Sequence, residues 1–208
     1  MDIFEAIQSR RSMGLVKDDP VPKDVIEKIL EAGNWAPSHH RTEPWRFFVL
    51  TGEGRKPLGE ALVKAALENM DDPEGEESKK KLEKTAAKPL RAPLIIAVAV
   101  EPSDNPKVIE IEEYGAAYAA TQNMLLAAHA LGLAGIWRTG KPCYHVSMNE
   151  LFGLSDRGKM LGFLYFGYPK RESPAGKRKE VSGCVKWLGD EIDFDQFKKK
   201  EELKESNS

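Results

Sequence analysis

The sequence has little of what would tie it to a specialised environment or to one of the common catalytic frameworks. Only two cysteines, Cys143 and Cys184, occur in 208 residues. They share no metal-ligand spacing, and in a domain of this size without a secretion signal a disulfide is not expected. The opening MDIFEAIQSRRS puts charges where a signal peptide needs an apolar run. No uninterrupted apolar stretch is long enough to span a bilayer. With a net charge of only -2, the global electrostatics call for neither nucleic acid nor membrane as partner. The expected compartment is the cytoplasm. Also missing are a Gly-x-Gly-x-x-Gly turn between strand and helix, a P-loop, a Gly-x-Ser-x-Gly elbow and a zincin motif. A dinucleotide can still be used, but not through a Rossmann phosphate turn.

What is present suits one medium-sized globular domain. A composition of 41% hydrophobic and 31% charged residues can bury a core without staples. Ile3, Phe4 and Ile7 have helical spacing. DDPVPKDVIEKILEAGNW sets a proline near a helix start, with Val25, Ile26, Ile29 and Leu30 on one face. WRFFVLTG reads as a strand, and RKPLGEALVKAALENM as another amphipathic helix. DDPEGEESKKK reads as a charged surface loop leading into the helix KKKLEKTAA. APLIIAVAVEP has the character of a strand covered on both faces. From about Ile109 to Leu131 runs a helix that is apolar nearly all round, the pattern of a helix buried at the centre of a domain. AGIWRTG is a short strand entering a turn, MNELFGL a short helix and KMLGFLYFGYP a further buried strand. There is no internal repeat and no linker. Helices and strands therefore alternate in a single α+β or α/β domain over 1–190, followed by a polar, frayed tail over 191–208.

The stretch APSHHRTEPWRFF, Ala36 to Phe48, is crowded for a connector. It can be a surface turn, a metal site or a pocket wall. Adjacent histidines rarely aim at one ion, and Glu43 is the only nearby carboxylate, so metal ranks below the other two. His129, inside the apolar helix, reads as a satisfied core histidine, and His145 as a loop histidine. Three basic spots remain: Arg10-Arg11-Ser12, Arg41, and Arg138-Thr139. Taken singly, each reads as a solvated charge. Arg10-Arg11-Ser12 nevertheless has the chemistry to grip a phosphate monoester. Trp137-Arg138-Thr139-Gly140 sits where a strand surfaces into a turn, and there an aromatic beside a guanidinium can frame a flat, electron-poor ring.

In combination these segments resemble the FMN-dependent nitroreductase family, in particular its short bacterial branch of NAD(P)H nitroreductases. Arg10-Arg11-Ser12 follows a short first helix. Ala36-Pro37-Ser38 running to Pro44-Trp45-Arg46-Phe47 is similar to the family's A-P-S-x-x-N-x-Q-P-W-x-F. Gly135-Ile136-Trp137-Arg138-Thr139-Gly140 is similar to the branch's G-I-W-R-S-G. The resemblance covers roughly Met1 to Pro169. It implies an α+β sandwich: a central, mostly antiparallel sheet flanked by helices, with one long buried helix. It further implies a homodimer with FMN at the interface, NADH or NADPH as donor, and a small-molecule electron acceptor. The FMN-binding residues it nominates are Arg10, Arg11 and Ser12; Pro37, Ser38, His39 and Arg41, reaching the flavin from the partner; and Trp137, Arg138 and Thr139 beside the isoalloxazine.

Two positions depart from the pattern. Arg41 stands where the wider family often has Asn and Glu43 where it has Gln, a pair that could bond to each other instead of touching flavin. Lys177, Arg178 and Lys179 could add a late phosphate contact. The implied activity is reduction of nitroaromatics, quinones or similar flat acceptors by a ping-pong hydride mechanism, with no dedicated catalytic side chain and no metal. The alternatives are a non-catalytic flavin-binding or sensor protein, and a flavin reductase or dehalogenase-like enzyme of the same fold.

Overall fold

In the run LIIAVAV, β-branched and apolar throughout, every residue is buried. A strand covered on both faces has to be internal to a sheet, and in the computed structural model it is: β2, Leu94–Val100, lies between β1, Trp45–Thr51, and β4, Lys159–Gly167. The fourth strand, β3, Ala134–Arg138, pairs with the far side of β4. The order is β1-β2-β4-β3 and every pairing is antiparallel. Residues 1–187 are described, except Asn69, Pro174 and Lys186; the expected tail over 191–208 lies outside them.

The pleat of β2 feeds two cores. Leu94, Ile96, Val98 and Val100 point to one face, against Ile26 and Ile29 of α2, Lys23–Asn34, and Met124 and Leu125 of α5, Glu110–Ala130. Ile95, Ala97 and Ala99 point to the other, against Leu58 and Leu62 of α3, Lys56–Leu67, and Met148 of α6, Val146–Phe152. This alternation is what a period of two requires of a strand with helices on both sides. The architecture is the expected α+β sandwich.

Two local readings change, and the first helix turns its apolar residues outward. The helix anticipated at KKKLEKTAA begins earlier, as α4, Glu76–Ala86. Gly75 caps it and Glu76 and Glu77 occupy its first turn, where carboxylates favour the helix dipole. The apolar residues of α1, Ile3–Ser9, do not face a core: Phe4 is 72% exposed, and only Ala6 is buried. The long helix α5 is likewise not enclosed all round. Its inner face, from Ala116 and Ala117 to Ala128, is buried, but Ile111, Gly115, Tyr118 and Gln122 form a bare stripe at helical spacing. Uniform apolarity was the correct signal for burial, but this chain covers only one side.

The chain divides into two compact units, Met1–Gly176 and Lys177–Ser208. Among the described residues of the second, Val181–Cys184 form one tight 3-10 turn, and Lys177, Arg178 and Lys179 are exposed.

Candidate functional site

At the end of α1 the chain stops being helical and takes a fifth position in the sheet, beside β3. Ser12 forms a parallel bridge with Gly135, and the Met13 N–H donates to the Gly135 carbonyl at 2.9 Å. The Arg-Arg-Ser segment is thereby fixed against the start of β3, so the first and third sequence motifs come together in one chain. Arg11 turns back over its own helix end and donates from Nη1 to the carbonyls of Gln8, at 2.6 Å, and Arg10, at 2.7 Å. A guanidinium at that end satisfies orphan carbonyls and suits the dipole. Its Nε is buried with no protein partner.

His129, near the end of α5, is half-buried beside this segment and is not the core histidine expected. Ser9 Oγ gives its single proton to the Glu5 carbonyl at 2.6 Å. The hydrogen in the 2.7 Å contact between Ser9 Oγ and His129 Nε2 must therefore come from the imidazole. Burial, and then the charges of Arg10 and Arg11, hold the His129 pKa below the usual imidazole range. His145 is likewise more than a loop histidine, because it caps α6, its Nδ1 accepting the Ser147 N–H at 3.2 Å.

At the other end of β3 the Trp137 indole closes on Gly162, where a Cβ would fall 2.1 Å from Nε1. Gly162 has a φ of 146°, so only glycine suits both the backbone and the close approach. Trp137 Nε1 donates to the Leu161 carbonyl at 3.1 Å. Arg138 leaves the strand on the opposite face, its guanidinium 5.2 Å from the centre of the Tyr165 ring. Its Nε is buried without a protein partner. Beside it opens a cavity of about 210 Å³ whose lining includes Lys88, Arg91, Arg138, Thr139, Phe163 and Tyr165. Burial pushes the Tyr165 phenol up to about 12, against the pull of Arg138 and Arg91. Three cations and no carboxylate line this cavity, and an anionic or electron-rich ligand edge is the group that such a set accepts. Lys88 and Arg91 were missed in the sequence. Their only signal was the Lys-Pro-Leu-Arg turn just before β2, unremarkable until the fold brings it to Arg138.

The connector before β1 is built on different principles. His40, Arg41 and Glu43 have φ values of 58°, 54° and 47°. Each such non-glycine residue costs on the order of 1–2 kcal/mol, and three together must be held by their surroundings. His39 Nδ1 lies 2.6 Å from Glu112 Oε2. A carboxylate only accepts, so Nδ1 carries the hydrogen of that contact. The His39 and His40 rings stack 4.0 Å apart. Among the described residues no ion pair joins Arg41 to Glu43, so the suggested pairing of the two is not made. No group of three or more metal-ligating side chains occurs among the described residues.

Pro37, Ser38, His39 and Arg41 do not meet the Arg-Arg-Ser segment within one chain. The connector packs at Glu112, at the start of α5, and Ser9 at His129, near its end. At about 1.5 Å per residue, those two contacts are separated by roughly 25 Å of helix.

Comparison with known proteins adds a family to this geometry. Residues 7–168 match the model of the nitroreductase family. The chain belongs to that family. It is 36% identical over 170 residues to "Putative NAD(P)H nitroreductase YdjA" of Escherichia coli, covering 82% of this chain and 90% of that protein. A nitroreductase-like family protein from Bacillus cereus, known from a crystal structure, superposes with a TM-score of 0.76 at 28% identity, over 90% of this chain and 96% of that one. A crystal structure from Desulfovibrio desulfuricans, described as a putative nitroreductase in complex with FMN, gives a TM-score of 0.67 at 26% identity, over 91% and 98%. The chain thus shares the nitroreductase-like fold of those structures. No described helix is long and apolar enough to cross a membrane.

Proposed function

We propose that this nitroreductase-family chain is an FMN-dependent NAD(P)H oxidoreductase that reduces flat, electron-poor acceptors such as nitroaromatics and quinones. The observation that carries the reading is the bridge between Ser12 and Gly135. It joins a phosphate-gripping Arg-Arg-Ser segment to a strand ending in Trp137-Arg138-Thr139. A relative named as an NAD(P)H nitroreductase and another in complex with FMN support the same cofactor pair.

The residues fit FMN. Arg10, Arg11 and Ser12 would hold the phosphate and ribityl chain, and the partnerless buried Nε atoms of Arg11 and Arg138 are donors awaiting acceptors. Trp137 and Thr139 would border the ring, while Arg138, Lys88 and Arg91 would supply positive charge along one edge. The chemistry supplied by FMN, when bound, is hydride acceptance from NADH or NADPH and electron delivery to the acceptor. The side chains bind, orient and exclude water; none is required as acid or base.

A homodimer completes the site. The connector lies too far along α5 to reach its own Arg-Arg-Ser segment, and Ile111 and Tyr118 of α5 with Ile3, Phe4 and Ile7 of α1 are left bare. Large exposed apolar patches of this kind mark interfaces. A two-fold axis across α5 would set each connector, with Pro37, Ser38, His39 and Arg41, at the other copy's flavin.

Purified protein should be yellow with an FMN spectrum and bleach under anaerobic NADH or NADPH. It should regain colour on adding a quinone, with ping-pong kinetics. Protein that takes up no FMN overturns the reading. Flavin that bleaches but is not reoxidised by quinone or nitro compound favours a sensor.

A further inference from the structure

Glu113 is a carboxylate buried to 1% exposure in the first turn of α5, and among the described residues no cation pairs with it. A group of that kind is expensive unless it is hydrogen-bonded. Its partners lie on two loops that meet at one end of the β1-β2 ladder. Thr42 Oγ1 donates to Glu113 Oε1 at 2.5 Å, and the Ser103 N–H donates to Oε2 at 3.1 Å. Ser38 Oγ is 3.2 Å from Thr42 Oγ1 and accepts the Glu43 N–H at 3.0 Å.

The direction of this chain follows from counting protons. A carboxylate accepts, and a hydroxyl has one hydrogen to give. Thr42 gives its hydrogen to Glu113, so Ser38 must give its own to Thr42. The chain therefore runs from the Glu43 amide through Ser38 and Thr42 into Glu113. It spans the residues whose backbone is left-handed, and it starts on one of them. Beside it, Glu112 receives His39 Nδ1–H. Two consecutive carboxylates of α5 thus hold both parts of the connector.

We propose that Glu113 is a positioning residue for the flavin-facing connector. Through Thr42 and Ser38 it holds the strained turn that presents Ser38, His39 and Arg41. This rests on the reading above that the connector of one copy reaches the FMN of the other. Thr42 is the point at which to test it, because Val removes the hydroxyl at nearly constant volume and Ser restores it. In Thr42→Val the Glu43 amide should lose protection from hydrogen exchange, and FMN should bind about tenfold more weakly. In Thr42→Ser both should stay within about twofold of wild type. Melting temperature is measured alongside. A role in stability alone predicts that Thr42→Val melts earlier while FMN affinity holds. FMN affinity within about twofold of wild type in Thr42→Val, or an unchanged Glu43 amide, overturns the proposal. If Thr42→Val does not fold, Glu113→Gln takes its place. Gln has one acceptor oxygen for two donors, so it should weaken FMN in the same direction, and an unaltered affinity again refutes the brace. Wild type that binds no FMN overturns the functional reading, and the brace with it.

Discussion

The two ends of α5 solve the problem of placing functional groups in opposite ways. Near its C-terminus the Arg-Arg-Ser segment is held to the sheet by main chain, through the Ser12–Gly135 bridge and the Met13 amide on the Gly135 carbonyl, and Arg11 alone adds a side-chain contact, over its own helix end. Near its N-terminus the connector adopts three left-handed residues, held by side chains, with carboxylates of α5 as the final acceptors. Main-chain placement is insensitive to side-chain chemistry and depends on backbone clearance. Side-chain placement tolerates an irregular path but depends on each hydroxyl and carboxylate in turn. Substitutions should therefore act differently at the two ends.

The largest effect is expected where clearance is tightest. Gly162→Ala puts a Cβ 2.1 Å from the Trp137 indole and forces alanine to a φ of 146°. It should destabilise the protein by about 2–4 kcal/mol, read as a lower urea midpoint, with Trp137 fluorescence altered in the folded state. An unchanged midpoint would mean that the strand does not depend on that close approach. The Thr42→Val and Thr42→Ser pair is the matching probe of side-chain placement, smaller in stability and larger in ligand affinity.

A pH effect sharpens the same contrast. The folded-state pKa of His129 is lowered, first by burial and then by Arg10 and Arg11. As pH falls below the ordinary imidazole value of about 6.5, the unfolded chain takes a proton that the folded chain resists. The His129 contribution is therefore whole above that value and is lost as pH falls through the folded pKa. Urea midpoints between pH 7.5 and 5.5 should fall in the wild type and fall less in His129→Gln. Equal slopes would show that folding does not lower the His129 pKa.

The legibility of the sequence divided along the same line. The two-faced burial of β2 and the long helix follow from the length and make-up of their apolar runs, one short, β-branched and bounded by prolines, the other too long for a strand. Arg10, Arg11, Ser12, Trp137, Arg138 and Thr139 stood in continuous motifs. Lys88 and Arg91 did not, since the loop that carries them reaches Arg138 only through the sheet order. The bare stripe of α5 reads from sequence as burial within the domain, because hydrophobicity does not say what does the covering. The connector's left-handed residues were beyond reach for a different reason. Arg and Glu carry no propensity for that backbone region and His only a modest one, and the carboxylates that hold them lie far along the chain.

Subunit mixing is the most direct measurement, because a site divided between copies makes a prediction that no single-chain site can. Arg10→Ala and His39→Ala homodimers should each be poor in FMN binding and NAD(P)H oxidation. Unfolded together and refolded, half of the dimers pair one variant with the other, and each of those regains one intact site. Activity should rise to about a quarter of wild type, as two-fold symmetry requires. A mixture no more active than the two variants apart would contradict a site shared across α5.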